Sequence, residues 1–245
     1  MLKRYFKEVD KKFIKKTLKT GKSSGEKTAG KKAVPNKGAD VSVDAKIIKE
    51  YFAKIISQRF VIDAVRPVSS SGFSPDGADL IIYENYCEDL LKLFNGSVPQ
   101  ELVYASIFIT KKLDKKSLHE VLNRVASVKK INYFSAADEP KEAPIPAFVI
   151  SSGSSIPLPE LKNDIINYYM TNNIEFSHET DVLMIMDTGM VIKNWREKRS
   201  FIGLETGEDS MMWFYVLLNE YLDVDRGTAL DLRKYIKDDV VYPEY

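Results

Sequence analysis

The sequence predicts an α/β protein with a mixed central sheet, helices on both faces and a basic helix in front. Three observations carry that expectation. Short apolar stretches, among them Phe60–Val65, Ala78–Tyr83 and Leu102–Thr110, have the length and β-branched content of strands. Between such stretches the apolar residues switch to three-and-four spacing, as in Leu118, Val121, Leu122, Val125 and Val128. Ala147–Ser151 is nearly all apolar, as a strand becomes when helices cover both faces of its sheet.

Taken in order, the chain begins with a stripe of Leu2, Tyr5, Phe6, Val9, Phe13, Ile14 and Leu18. Lys3, Lys7, Lys11, Lys12, Lys15 and Lys16 surround it, so residues 1–19 read as a basic amphipathic helix. A Gly/Ser/Thr/Lys stretch broken by Pro35 makes residues 20–42 a flexible linker. Residues 43–245 then form one α/β domain. It opens with a helix carrying Val43, Ile47, Ile48, Tyr51, Phe52, Ile55 and Ile56, which Ser42 can cap. The strand Phe60–Val65 ends at Pro67, and Pro75-Asp76-Gly77 turns the chain into Ala78–Tyr83. After Leu102–Thr110 come a helix over about 114–130 and the strand Ala147–Ser151. A helix near 159–170, strands at Val182–Met186 and Met190–Lys193, and a helix near 210–222 complete the reading.

Composition bounds the role. The 245 residues are 44% hydrophobic and 11% aromatic, which is ordinary for a folded domain. Cys87 is the lone cysteine, which rules out an internal disulfide and offers no zinc cluster. The charged stretch Met1–Asp10 lacks the apolar core of a signal peptide, and no run nears the roughly 18 apolar residues of a membrane span. A cytoplasmic protein without a membrane partner is the expectation. The net charge of +1 conceals a split: residues 1–38 hold 13 Lys/Arg against 3 Asp/Glu, leaving 23 against 32 for the rest. The basic arm therefore suits the acidic body, a protein partner or nucleic acid. A seven-residue apolar stripe needs burial, which favours packing on protein. Lys7, Lys11, Lys12, Lys15 and Lys16 are the candidate contacts with a partner or with nucleic acid.

Two strands carry a resemblance. Ser74-Pro75-Asp76-Gly77-Ala78-Asp79-Leu80-Ile81-Ile82-Tyr83 resembles the Asp-bearing second strand of the PD-(D/E)XK, or restriction-endonuclease-like, nucleases. Asp79 stands at the metal-ligand position. Val103-Tyr104-Ala105-Ser106-Ile107-Phe108-Ile109-Thr110-Lys111-Lys112-Leu113 is similar to their third strand, found in uncharacterised bacterial nuclease-like proteins as Val-x-Ala-x-Ile-Glu-Val-Lys-x-x-Leu. Phe108 replaces the glutamate and Thr110 the lysine. The resemblance covers roughly residues 40–150, and more loosely the chain to Leu222. It implies a restriction-endonuclease-like core and, in an intact member, Mg²⁺-dependent phosphodiester cleavage.

The two replacements remove what that reaction needs. Mg²⁺ demands oxygen ligands and a positive group must orient or activate water. Phe108 offers no oxygen and Thr110 no charge, leaving Asp79 as the one vestigial ligand. No cofactor is therefore expected. An alternative is a relocated site in which Asp79, Glu101 and Lys112 converge, with Mg²⁺ as cofactor. Lys112 keeps the side-chain parity of Phe108 and Thr110, and the convergence requires a bulge or an early strand end.

Remaining signals favour structural roles. Asp187-Thr188-Gly189 matches the aspartic-protease triplet, but that chemistry needs two copies and one is present. A tight turn with Gly189 supplying positive φ is expected instead. Ser151–Ser155 has the loop composition to cradle a phosphate, without a P-loop lysine. His119 and His178 read as surface residues, and Trp195 and Trp213 as core or interface packing. The expected function is a catalytically degenerate nuclease-fold protein with a binding or regulatory role. The resemblance implies bacterial defence or genome conflict, with a protein partner or nucleic acid. The alternatives are an active Mg²⁺-dependent nuclease and an immunity-type or structural binding partner.

Overall fold

The computed structural model describes Arg4, Phe6, Lys7 and residues 43–85, 92–131, 144–197, 199–222 and 243–244. Nine strands are found among them: β1 (Phe60–Asp63), β2 (Arg66–Val68), β3 (Leu80–Glu84), β4 (Ser97–Pro99), β5 (Val103–Thr110), β6 (Ala147–Ser151), β7 (Val182–Ile185), β8 (Gly189–Lys193) and β9 (Phe201–Leu204). Four helices accompany them: α1 (Val43–Phe52), α2 (Lys115–Lys129), α3 (Leu158–Thr171) and α4 (Ser210–Leu222).

Seven strands form one sheet in the order β1-β3-β5-β6-β7-β8-β9, and β2 pairs with β4 in a small parallel strip. β5, β6 and β7 are parallel, and every other pairing of the large sheet is antiparallel. The parallel centre follows from connection length. The chain uses α2 to return from β5 to β6 and α3 to return from β6 to β7, whereas β7 and β8 meet through a tight turn. Both crossovers move in the same direction across the sheet, so α2 and α3 share a face.

Period-two alternation divides the core. Ala105, Ile107, Phe148, Ile150, Val182 and Met184 face α1 and α4, where Ile48, Phe52, Phe214 and Leu218 are buried. Phe108, Ala147, Val149, Leu183 and Ile185 face α2 and α3, meeting Leu118, Leu122, Val125, Leu161 and Ile165. Two buried faces explain why β6 and β7 read as continuous apolar runs.

Local chemistry sets the start of α2. The Asp114 carboxylate accepts from the Ser117 N–H at 2.8 Å, and Ser117 Oγ accepts from the Asp114 N–H at 2.9 Å. This reciprocal box satisfies amides at a helix start, and its hydrogen bonds hold the Asp114 carboxyl below its ordinary range.

The basic arm was expected to pack on protein. Of its residues, Phe6 is 2% exposed in the α1/α4 core, with its ring 5.1 Å from that of Tyr215. Lys7 meets Glu208 at 3.4 Å. Lys11, Lys12, Lys15, Lys16 and the linker of residues 20–42 lie outside the described residues, as does Ser42.

Candidate functional site at the end of strand β5

Asp79 immediately precedes β3, and its backbone N–H donates to Ile107 O at 2.9 Å. Leu80 pairs with Ile107 in antiparallel register, which sets Asp79 across from Phe108. The two positions singled out by the resemblance are thus cross-strand neighbours near the C-terminal end of β5. Asp79 Oδ2 accepts from the Ile109 N–H at 2.6 Å and from Arg124 Nη2 at 2.7 Å. Arg124 reaches this point from the middle of α2. Its Nε donates to Gly77 O at 2.9 Å, its Nη2 donates to the same oxygen, and its Cζ lies 5.6 Å from the centroid of the Phe108 ring.

The sequence makes this arrangement possible at Gly77, which has φ +142° and lies against α2. A Cβ there would sit 3.4 Å from Arg124 Cβ, an ordinary contact, so it is the positive φ that favours glycine at the point where the guanidinium enters. Phe108 is fully buried among α2 and α3 side chains. Thr110 pairs with Ser151 on β6, and its carbonyl accepts from the Ser152 N–H at 3.2 Å.

The donor set does not fit a divalent cation. One Asp79 oxygen already takes two N–H donors, one of them cationic, and the neighbouring position offers an apolar ring. Among the described residues no group of three or more His, Cys, Asp or Glu side chains is placed to hold a metal ion. The guanidinium stands where a positive charge beside Asp79 is wanted, and it is covalently part of α2.

The relocated constellation does not assemble. A β-bulge does interrupt the β3–β5 register, at Tyr104, between the Ile82–Ala105 and Tyr83–Val103 pairs. It lies at the wrong end. Glu101 is exposed in a 3₁₀ turn ahead of β5, seven residues from Phe108, or roughly 20 Å at the rise of a strand. Lys112 is exposed beyond the opposite end of β5, and its carbonyl accepts from Ser117 Oγ at 3.0 Å. Convergence of Asp79, Glu101 and Lys112 is thereby corrected: strand length separates the acid from the lysine.

The remaining signals also take definite places. The loop Ser151–Ser155, whose composition favoured a plain connection, spends three of its amides within the protein. Ser152, Gly153 and Ser155 donate to Thr110 O, Ser151 Oγ and Leu113 O respectively, and Ile156 donates to Ser154 Oγ. At the turn between β7 and β8 the positive φ belongs to Asp187 (54°), not to Gly189. Gly189 is needed because a Cβ would collide with Leu204 O of β9. The Asp187 carboxyl is raised by burial and by Glu208, with no second aspartate triplet in the chain. His178 is buried rather than on the surface, whereas Trp195, read as core or interface packing, is 46% exposed with its ring edge-on to that of Phe176.

Sequence reasoning missed Arg124, the residue that defines the site. The one signal was its place between Val121 and Val125, at the margin of an apolar helix face, where a charged side chain must leave sideways or find an acid.

A parallel centre with antiparallel flanks, an aspartate at the head of β3 and a helix returning from β5 together define a nuclease-like fold of the restriction-endonuclease type. Solved structures of NucC share it. The cAAA-bound NucC of P. aeruginosa ATCC27853 superposes with a TM-score of 0.66 at 13% identity, over 91% of each chain. The cAAA-bound NucC of E. coli MS115-1 gives 0.64 at 15% identity, over 91% of this chain and 90% of that one. Its apo form gives 0.62 at 14%, over 91% and 92%. At these identities the likeness is one of fold. No protein-family model and no curated protein matches the chain. No helix among the described residues is long and apolar enough to cross a membrane.

Proposed function

We propose that this chain is a catalytically silent nuclease-fold protein that acts by binding, as a regulatory component of bacterial defence. The observation that carries the reading is the Asp79–Arg124 pair in front of the buried Phe108. An active member would keep an open carboxylate cluster here; this chain fills the cluster with its own guanidinium. Fold likeness to two bacterial NucC proteins supports the setting, since nuclease-like folds of the resembled kind are common in defence.

Nucleic acid is the binding partner that the surface beside the site favours. Lys111, Lys112, Lys115 and Lys116 are all exposed where β5 passes into α2, on a body otherwise rich in acid. Such a cluster contacts phosphates without needing a metal. Lys7, by contrast, is engaged with Glu208 and serves the arm's docking on the body.

The test is a cleavage assay on single- and double-stranded DNA and RNA with Mg²⁺ and with Mn²⁺, beside a binding assay on the same substrates. Binding without cleavage is expected, weakened in a Lys111→Ala/Lys112→Ala protein. Metal-dependent cleavage that disappears in Asp79→Ala would overturn the proposal.

A further inference from the structure

At the end of the sheet opposite Asp79, charges are folded into the protein beneath an exposed indole. Lys129, Glu179 and Asp181 are fully buried and Lys193 is 3% exposed. Lys129 Nζ donates to Asp181 Oδ2 at 2.6 Å and to Glu179 O at 2.7 Å, and the Ala147 N–H donates to the same Oδ2 at 2.7 Å. Lys193, the last residue of β8, is held at both of its ends. Its backbone N–H donates to Asp181 O at 2.8 Å, and its ammonium donates to Phe176 O and stands 3.8 Å from the Glu179 carboxylate.

Trp195 rests on this base. Its ring centroid lies 4.2 Å from Lys193 Nζ, the Phe176 ring meets it edge-on at 5.5 Å, and its Nε1 donates to Tyr221 OH at 2.9 Å. The backbone that carries the ring is fixed as well: the Arg196 N–H donates to Asn194 Oδ1 at 3.0 Å, and the Asn194 N–H to Ser200 O at 2.9 Å. Trp195 is nonetheless 46% exposed. Because Lys193 is buried, the face of the indole that it covers is the inner one, and the outer face is turned to solvent.

Three properties narrow what that outer face can take. The one polar group of the indole is spent on Tyr221, so a ligand meets the ring through π contact rather than through a hydrogen bond. An ammonium on the inner face draws the π density inward. A second cation, such as the lysine or arginine of a partner protein, is then disfavoured on the outer face, whereas another π system is favoured. The charged residues described between β8 and β9 are Arg196, Glu197 and Arg199, all exposed, so the surroundings of the ring lean cationic on a body otherwise rich in acid. A planar, uncharged ring joined to negative groups meets all three conditions, and an unpaired nucleobase with its phosphates is such a group. A base inside a duplex is already stacked on both faces and does not.

We propose that Trp195 is a stacking platform for an unpaired base of a linear single-stranded nucleic acid, with Arg196 and Arg199 contacting the adjoining phosphates. The ring is fixed before the strand arrives, so stacking orders little that is not ordered already. The platform lies at the other end of the sheet from Lys111 and Lys112 and does not rest on the contacts proposed for them.

Fluorescence anisotropy with a labelled oligothymidine of about 12 nucleotides, beside a blunt duplex, tests the proposal. Trp195→Ala is expected to weaken single-strand binding about 10-fold and duplex binding less than about 2-fold, and Trp195→Phe, which keeps a ring, to restore most of the loss. The same effect of Trp195→Ala is expected in the Lys111→Ala/Lys112→Ala protein, so the two sites stand or fall separately. Single-strand affinity unchanged in Trp195→Ala, or an equal loss on the duplex, would overturn the platform. Self-association of the free protein that vanishes in Trp195→Ala would overturn it too, by seating a second copy on the ring. Should that variant fail to fold, fluorine NMR of the unaltered chain labelled with fluorotryptophan decides. The more exposed of its two tryptophans must shift when the single strand is added, and a resonance that stays in place overturns the proposal.

Discussion

Replacing Arg124 by alanine removes four contacts at once: two hydrogen bonds to Gly77 O, one to Asp79 Oδ2, and the approach to the Phe108 ring. A buried charge-assisted hydrogen bond contributes about 1.5–3 kcal/mol net, and an exposed one much less. Asp79 and Arg124 side chains are 26% and 35% exposed, which places the pair toward the lower figure. Asp79 also keeps its Ile109 N–H donor, so its carboxylate is not left bare. Arg124→Ala is expected to lose about 2 kcal/mol of stability, or roughly 4–8 °C in Tm for a domain of this size. Arg124→Lys should recover about half, because the charge returns without the fork that spans Gly77 and Asp79. Urea denaturation of Arg124→Ala, Asp79→Ala and the double variant closes a cycle, with a coupling of about 1 kcal/mol expected. A loss under about 0.5 kcal/mol for Arg124→Ala, or strict additivity in the cycle, would refute the view that this pair locks the site.

Further predictions concern burial. Lys129→Met should cost about 3–5 kcal/mol by urea denaturation, since it strands the fully buried Asp181. Asp181→Leu made in the same chain should recover only part of that, because the Ala147 N–H then loses its acceptor. Phe6→Ala should cost about 3 kcal/mol and raise hydrogen exchange along α4, where Tyr215 receives the ring. An unchanged Phe6→Ala protein would mean the arm does not dock.

Much of the fold was legible because the core strands and helices each bury a regular face. α2, α3, α4, β3, β5, β6, β7 and β8 announce themselves by period and by their flanking turns. The three missed strands have physical excuses. β2 and β4 are three residues each and pair only with one another, and β2 contains Pro67, which cannot donate to a ladder. β9 carries Gly203 and follows the charged 194–200 loop, so its four residues show no usable alternation. At the site, Asp79, Phe108 and Thr110 were readable because a strand fixes spacing. Arg124 was not, since its partner lies 45 residues away and only the packing of α2 on β3 and β5 brings them together. The buried charges hid for a similar reason. Lys193 ends an apolar strand and Glu179 and Asp181 precede one, positions that in isolation look like solvated strand ends.

Helix α2 carries both ion pairs described above, Arg124 toward Asp79 and Lys129 toward Asp181, five residues apart. The two partners lie at opposite ends of the sheet's parallel centre, so each pair fixes α2 against a different end of it. A helix held by apolar ridges alone can slip by one turn, about 5.4 Å, and repack at modest cost. Here such a slip would break both pairs together and leave the half-buried Asp79 and the fully buried Asp181 without their cations. α2 is in that sense indexed, like a shaft with two keys cut at different angles. The lysines at its head can then be exchanged freely without altering where Arg124 meets Asp79.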